Sequence, residues 1–286
     1  MANEIGLSQL TATVPDIVRQ TALKARYAKA KIMKKVLTVD ADVAKKGDRV
    51  SLPLMPSLSV NDVGSGGSVT RQQLSVTAPE VVIDKHKECT VDVEDIATKQ
   101  SAISILKEFS GAMGAALAAQ QDSDLGALYS TLTGQTAVGS STAPEPMDDD
   151  MIRLARQFMD DDNIPEEDRC WVFSPSAHND LLALARFTEA QNTGFSRGVQ
   201  VEGGRISRLY GDEVIVTTKV ATTGSARANL YIHKEALGMG TQKNFSITPL
   251  AKVQLSEAVT GSVLYGVKVV RDNHGVVVYS LQNAST

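Results

Sequence analysis

Residues 46–93 constrain this chain more than any other stretch. KKGDRVSLPL alternates Val50, Leu52 and Leu54 against polar or proline positions. QQLSVTAPEVVID resumes the alternation with Leu74, Val76, Val81 and Ile83, and TVDV adds Val91 and Val93. Between the two runs lies NDVGSGGS, a glycine- and serine-rich tip. Period-two apolar spacing on both sides of such a tip predicts a long β-hairpin. A two-stranded ribbon alone in water is marginally stable. Its apolar residues need a second layer, and the neighbouring sequence offers no obvious one. Val50, Leu52, Leu54, Leu74 and Val76 are therefore expected to pack on another chain.

Two further segments have the same problem. PDIVRQTALKARYAKAKIMKKVL, residues 15–37, begins with Pro15 and Asp16, which suit a helix first turn. Its apolar stripe (Ile17, Leu23, Tyr27, Ile32) is ragged. Six basic residues, Lys24, Arg26, Lys29, Lys31, Lys34 and Lys35, crowd its second half. It reads as a solvated helix or arm, or as a basic segment facing a polyanion or an acidic neighbour. Residues 101–132 are the clearest helix: Ile103, Leu106, Met113, Leu117, Leu125, Leu128 and Leu132 recur at helical steps with one longer gap. Fully helical, this spine would reach roughly 45–50 Å. Gly111, Gly114 and Gly126 weaken it, and they permit a bend or a tight crossing by another element.

GQTAVGSSTAPEP is a linker by composition and marks a boundary at 134–146. Beyond it the pattern is mixed α and β. DDDMIRLARQFMDDD is a short helix with acidic residues at its positive end. CWVF is a buried strand, SPSAHNDLLALARF a second helix, and EVIVTT and ANLYIH are strands. The tail has β-like runs at FSITPLAKVQL, YGVKVVR and GVVVYSL. The fold class is α+β, and 286 residues suffice for about two domains.

Composition removes several functions. Net charge is −4, so there is no overall nucleic-acid footprint, and aromatics at 5% are thin for stacking bases or sugars. The two cysteines, Cys89 and Cys170, stand alone and far apart, which argues against structural zinc and for reduced thiols, with one long-range disulfide as the alternative. MANEIGLSQLTATVPDIV lacks the pattern of a signal peptide, and no apolar run reaches the length of a membrane span. An aqueous intracellular space is expected.

FSPSAHND supplies Ser174, Ser176, His178 and Asp180, the residue types of a hydrolase triad. A nucleophile elbow needs glycines around the serine, and neither serine has them. Ser174 before Pro175 fits a helix N-cap and first position. Asp180 follows His178 by two residues, so the two side chains diverge around a helix. The triplets Asp148–Asp150 and Asp160–Asp162 lack the glycine and closing glutamate of a calcium loop. GSGGS and VEGGR are not phosphate loops. The four histidines, His86, His178, His233 and His274, are scattered and read as surface or satisfied residues. No catalytic residue, cofactor or metal is expected, and the chain is expected not to be an enzyme.

In order, these elements resemble the major capsid proteins of tailed bacteriophages, whose fold bacterial encapsulins share. KKGDRVSLPLMPSLSVNDV followed by QQLSVTAPEVVIDKHKECTVDVEDIA resembles the family's extended loop. Helix 101–132 resembles its spine helix. IPEEDRCWVFSPSAHNDLLALARF is similar to its axial-domain signature, GGRISRLYGDEVIVTTKV to the hairpin that follows, and LYIHKEALGMG to the next strand. The resemblance implies an N-terminal arm at 1–45, the extended loop at 46–93 and a peripheral domain with the spine helix at 94–140. It implies a mixed α/β axial domain at 141–240, with return strands, mainly peripheral, at 241–286. It further implies assembly with copies of itself into pentamers and hexamers of an icosahedral shell around double-stranded DNA. The basic residues would touch acidic neighbours or packaged DNA. The other partners would be portal and scaffolding proteins, with a decoration or cement protein possible and no membrane contact. The chain starts almost at the arm, so scaffolding is expected as a separate or already removed protein. The location would be the virion, after assembly in the host cytoplasm. The nearest alternative is an encapsulin-type compartment; a tube-forming virion protein and a serine hydrolase are more remote.

Overall fold

The computed structural model describes residues 30–39, 49–52, 54, 78–184, 187, 199–202, 204–249 and 256–283, with scattered positions from 58 to 71; for 92–108, 199–202, 247–249 and 256–258 it describes backbone alone. Strands β1 (Leu37–Val39), β2 (Arg49–Ser51), β3 (Glu80–Val82) and β4 (Lys85–Glu94) precede helix α1 (Asp95–Gly126). Helix α2 (Asp149–Asp161), β5 (Arg169–Phe173) and helix α3 (Pro175–Ala183) follow. The chain then continues through β6 (Val199–Glu202), β7 (Arg205–Leu209), β8 (Asp212–Val216), β9 (Ala221–Thr223) and β10 (Ala226–His233). It ends with β11 (Leu237–Pro249), β12 (Ser256–Val269) and β13 (Gly275–Leu281). The α+β class expected from the sequence is the class observed.

Two sheets organise these elements. One has seven strands, in the order β13-β10-β5-β8-β7-β6 with β9 paired to β10. Among its described strands, β5 and β8 run parallel and the other pairs antiparallel. All five residues of β5 are buried because both faces of this sheet are covered. Cys170, Val172, Ala228, Leu230, Ile232 and Val277 point into a core shared with α1. Their alternate neighbours Trp171, Phe173, Tyr231, Val276 and Val278 point into a second core under α2 and α3. Trp171 stacks on Tyr231 with ring centroids 3.9 Å apart.

The other sheet has the order β1-β11-β12-β4, with β1 parallel to β11 and the rest antiparallel. Helix α1 lies against it. Tyr265 on β12 donates its hydroxyl to Asp124 of α1 at 2.7 Å. At 32 residues, α1 is about 48 Å long. It begins earlier than the apolar spacing predicted and ends at Gly126, passing into a 3₁₀ turn at Ala127–Thr131. Met113, Leu117, Leu125 and Leu132 of the predicted stripe are buried; the side chains of Ile103 and Leu106 lie outside the described residues. A tight crossing occurs at Gly126, where an added Cβ would come within 2.6 Å of the Lys219 carbonyl oxygen.

The chain passes from the seven-stranded to the four-stranded sheet between β10 and β11, and returns between β12 and β13. The last strand therefore sits beside β10. β4 likewise leaves the predicted hairpin and pairs along its length with β12. Hydrophobic spacing identifies a strand but not its partner.

Candidate functional site

FSPSAHND folds as the cap of a helix. The Ser174 hydroxyl accepts the Ala177 N–H at 3.2 Å, and Pro175 occupies the first turn, where its missing donor costs nothing. The Ser174 and Ser176 hydroxyls bond to each other at 2.9 Å. His178 Nε2 accepts the Ile206 N–H at 3.1 Å, so its lone pair is not directed at a serine. Asp180 Oδ2 accepts the Met147 N–H at 3.2 Å. Four triad-type residues thus serve four separate structural bonds. Burial lowers the His178 pKa, helped by Arg205, in keeping with a neutral ring.

The end of the basic segment is built into the chain's own core. Ala30, Ile32, Met33 and Val36 are buried in the core shared with α1. Asp122 of α1 accepts the N–H groups of Lys31 at 2.8 Å and Met33 at 3.0 Å, fixing the 3₁₀ turn Ile32–Lys35. Lys31 Nζ donates to the Val216 carbonyl, and Lys35 pairs with Glu213. Two of the six basic candidates thus find their partners within the chain. The ragged stripe concealed this because the turn's anchor, Asp122, lies on a helix 89 positions from Met33. Lys34 lines clefts with Lys35. Lys24, Arg26 and Lys29 lie outside the described residues.

The base of the hairpin also has an intramolecular second layer. β2 and β3 pair antiparallel, with Val50 opposite Val81. Val50 packs with Ile83, Val39 and Leu264, and Leu52 packs with Val81, Val270, Leu37 and Leu54. These three candidates pack against residues of their own four-stranded sheet. Glycines admit them. A Cβ on Gly238 would meet Leu52 at 3.0 Å, one on Gly240 would meet Val50 at 3.4 Å, and one on Gly266 would collide with the Val82 carbonyl. GMG in LYIHKEALGMG and the glycine of YGVKVV are the signal that could have revealed this layer. Leu74 and Val76 lie outside the described residues.

Further along the loop the position reverses. Leu58 is 71% exposed, Val60 95% and Val63 52%. Sequence reasoning placed Val63 in the tip NDVGSGGS and passed over Leu58 and Val60, which precede it. Three exposed large hydrophobics in so short a span are a surface that a partner could cover.

The acidic triplets serve ends of helices and an ion pair. Asp148 is the N-cap residue of α2, Asp162 its C-cap, and Asp160 pairs with the buried Arg169 at 2.6 Å. Arg169 Nε also donates to the Pro165 carbonyl at 2.9 Å. Among the described residues, one group brings three metal-binding side chains together: His233, Glu235 and His274, with ligand atoms all within 4.8 Å of one another. Burial lowers the pKa of both histidines. Cys89 and Cys170 are free thiols, and burial pushes Cys170 up to about 12. No helix among the described residues is long and apolar enough to cross a membrane.

No family model matches the sequence, and no curated protein matches it. Solved structures do. A structure of Mycobacterium phage Che8 aligns at TM-score 0.69 and 24% identity over 87% of this chain and 90% of that one. The capsid structure of Cyanophage P-SCSP1u aligns at TM-score 0.68 and 17% identity, covering 90% and 89%. The holo-SrpI encapsulin complex from Synechococcus elongatus PCC 7942 aligns at TM-score 0.56 and 12% identity, covering 91% and 90%. The architecture is thus a shell-subunit fold. More particularly, it is the fold that phage capsids share with encapsulins, as the sequence resemblance implied.

Proposed function

We propose that this chain is a structural major capsid protein that self-assembles into pentamers and hexamers of an icosahedral shell around a double-stranded DNA phage genome. The observation that carries this reading is the end-to-end likeness to phage structures, 87–90% of this chain at TM-scores of 0.69 and 0.68. Supporting it, the residues that looked catalytic are each engaged in a structural bond, and the exposed apolar residues Leu58, Val60 and Val63 sit on the extended loop.

In this reading the seven-stranded sheet, with α2 and α3, forms the axial part around the capsomer centre. That assigns 141–240 and adds β13 to it. The four-stranded sheet and α1 form the peripheral part, covering 94–140 and most of 241–286. The loop within 46–93 lies over a neighbouring subunit, anchored by the Val50–Leu52 base and making contact through Leu58, Val60 and Val63. Residues 1–45 form the arm, and Lys24, Arg26, Lys29 and Lys34 offer its charges to acidic neighbours or DNA phosphates. Many modest interfaces, each of about 1,000 Å² or more, add through multivalency. Portal and scaffolding proteins, and a decoration or cement protein, are the further partners. The virion is the location, reached by assembly in the host cytoplasm.

The likeness to an encapsulin, over 91% of this chain, favours a second reading: a compartment shell that encloses protein cargo. Sedimentation velocity of the purified chain, alone and co-expressed with a neighbouring scaffold gene, tests assembly. In particles isolated from the native host, double-stranded DNA protected from nuclease supports the phage reading; an enclosed enzyme and no genome supports the compartment. A chain that stays monomeric in both preparations contradicts both.

A further inference from the structure

The two links between the sheets carry an unassigned group of ligands. His233 ends β10 and Glu235 lies in the link to β11, while His274 lies in the return link from β12 to β13. The three side chains come from two crossovers about 40 residues apart in sequence, yet their ligand atoms lie within 4.8 Å of one another. The imidazole rings of His233 and His274 meet edge to face, with centroids 5.6 Å apart.

We propose that His233, Glu235 and His274 bind a divalent transition-metal ion of the zinc class and so tie the two crossovers together. Two imidazole nitrogens and one carboxylate oxygen are a ligand set that suits zinc and its neighbours, and three protein ligands leave a fourth position for water. Neighbouring groups already orient the ligands. Asn273 Oδ1, which only accepts, lies 2.9 Å from His274 Nδ1; that nitrogen donates, and the Nε2 lone pair is left for an ion. Arg271 Nε holds Glu235 Oε2 at 3.2 Å and leaves Oε1. His233 Nδ1 accepts the Glu235 N–H at 3.3 Å. Ligation through Nε2 moves the ring proton to Nδ1 and gives up only that long bond. Both histidines are buried, at 7% and 8% exposure, while the Glu235 side chain is 46% exposed and opens the site to solvent. The Arg271 cation sets a cost for an incoming ion, so the expected affinity is micromolar rather than tighter. The ion would fix the angle between the sheets by holding both connections at one point.

Cobalt(II) is the probe, because a site of four or five ligands with imidazole gives visible d–d absorption. The full-length chain, titrated with Co²⁺ near pH 7.5, is expected to saturate at one ion per chain, and excess Zn²⁺ should abolish the signal. Glu235→Gln and His274→Ala should each weaken binding by roughly 10- to 100-fold. His86→Ala, at an exposed histidine, should leave it unchanged. Zn²⁺ should raise the thermal midpoint of the wild type and not that of Glu235→Gln. Circular dichroism checks folding; if His274→Ala misfolds, Glu235→Gln decides, since its side chain is half exposed. The absence of a saturable signal overturns the proposal. So does a signal that persists in Glu235→Gln, or one that is lost in His86→Ala.

Discussion

The carboxylate of Asp122 accepts the backbone N–H of Met33 at 3.0 Å, across 89 positions of sequence. This bond fastens the incoming chain to helix α1. Asp122 is 2% exposed; burial raises its pKa, and the amides of Lys31, Met33 and Ile32 oppose that shift. Asp122→Ala leaves the buried Met33 amide without its acceptor and should cost about 1–3 kcal/mol. Asp122→Asn keeps one acceptor oxygen, removes the buried charge and should cost less. Urea unfolding midpoints of the two variants check the order.

His178 makes stability depend on pH. Its folded pKa is lowered, chiefly by burial, and Nε2 must be unprotonated to accept from Ile206. A histidine with a lowered folded pKa binds fewer protons than in the unfolded chain. Its contribution is present above the unfolded value near 6.5 and is lost as pH falls below it towards the folded value. His178→Gln keeps an acceptor that does not titrate. The fall in thermal midpoint from about pH 7.5 to about pH 5.5 should be smaller in this variant than in the wild type.

Gly266 leaves the space through which the Val82 carbonyl passes. Lys268, two residues on, reaches the Glu80 carbonyl at 3.1 Å and holds the same strand pair. A methyl group at 266 must push β3 off the sheet. Gly266→Ala should cost about 1–3 kcal/mol and expose the loop to protease. Thermal midpoint and the rate of limited proteolysis near residues 54–79 measure the two effects.

Leu58, Val60 and Val63 test the contact surface separately from folding. Replacing all three by serine removes exposed apolar area and no buried contact, so subunit stability should change by no more than about 0.5 kcal/mol per site. On the shell reading, assembly should fail. Sedimentation velocity together with a urea melt distinguishes this outcome from simple misfolding.

Ser174 separates a cap from a nucleophile. Ser174→Ala should destabilise the fold by about 1 kcal/mol, as the loss of an N-cap does. An activated phosphonate probe should label neither the wild type nor this variant at positions 174 or 176. Mass spectrometry of the labelled chain reads the result.

Much of this was legible in the sequence where one element carried its own signal. Ser174–Pro175 announced a helix start, the CWVF run a buried strand, and the acidic triplet at 148–150 the positive end of α2. The order of motifs pointed to the shell fold. Pairing between distant segments was less legible. Nothing local in VSL or EVV says that Gly238, Gly240 and Gly266 form the floor beneath them. Nothing in KIMKK says that Asp122 waits on a helix some 90 residues away. The His233–Glu235–His274 group stayed hidden for the same reason: two crossovers bring together residues that no spacing rule connects.

Negative-stain microscopy of the recombinant chain, alone and with a neighbouring scaffold gene co-expressed, tests the central claim most directly. The shell account predicts closed polyhedral particles, or pentameric and hexameric rings. A stable monomer at high concentration in both preparations would contradict it.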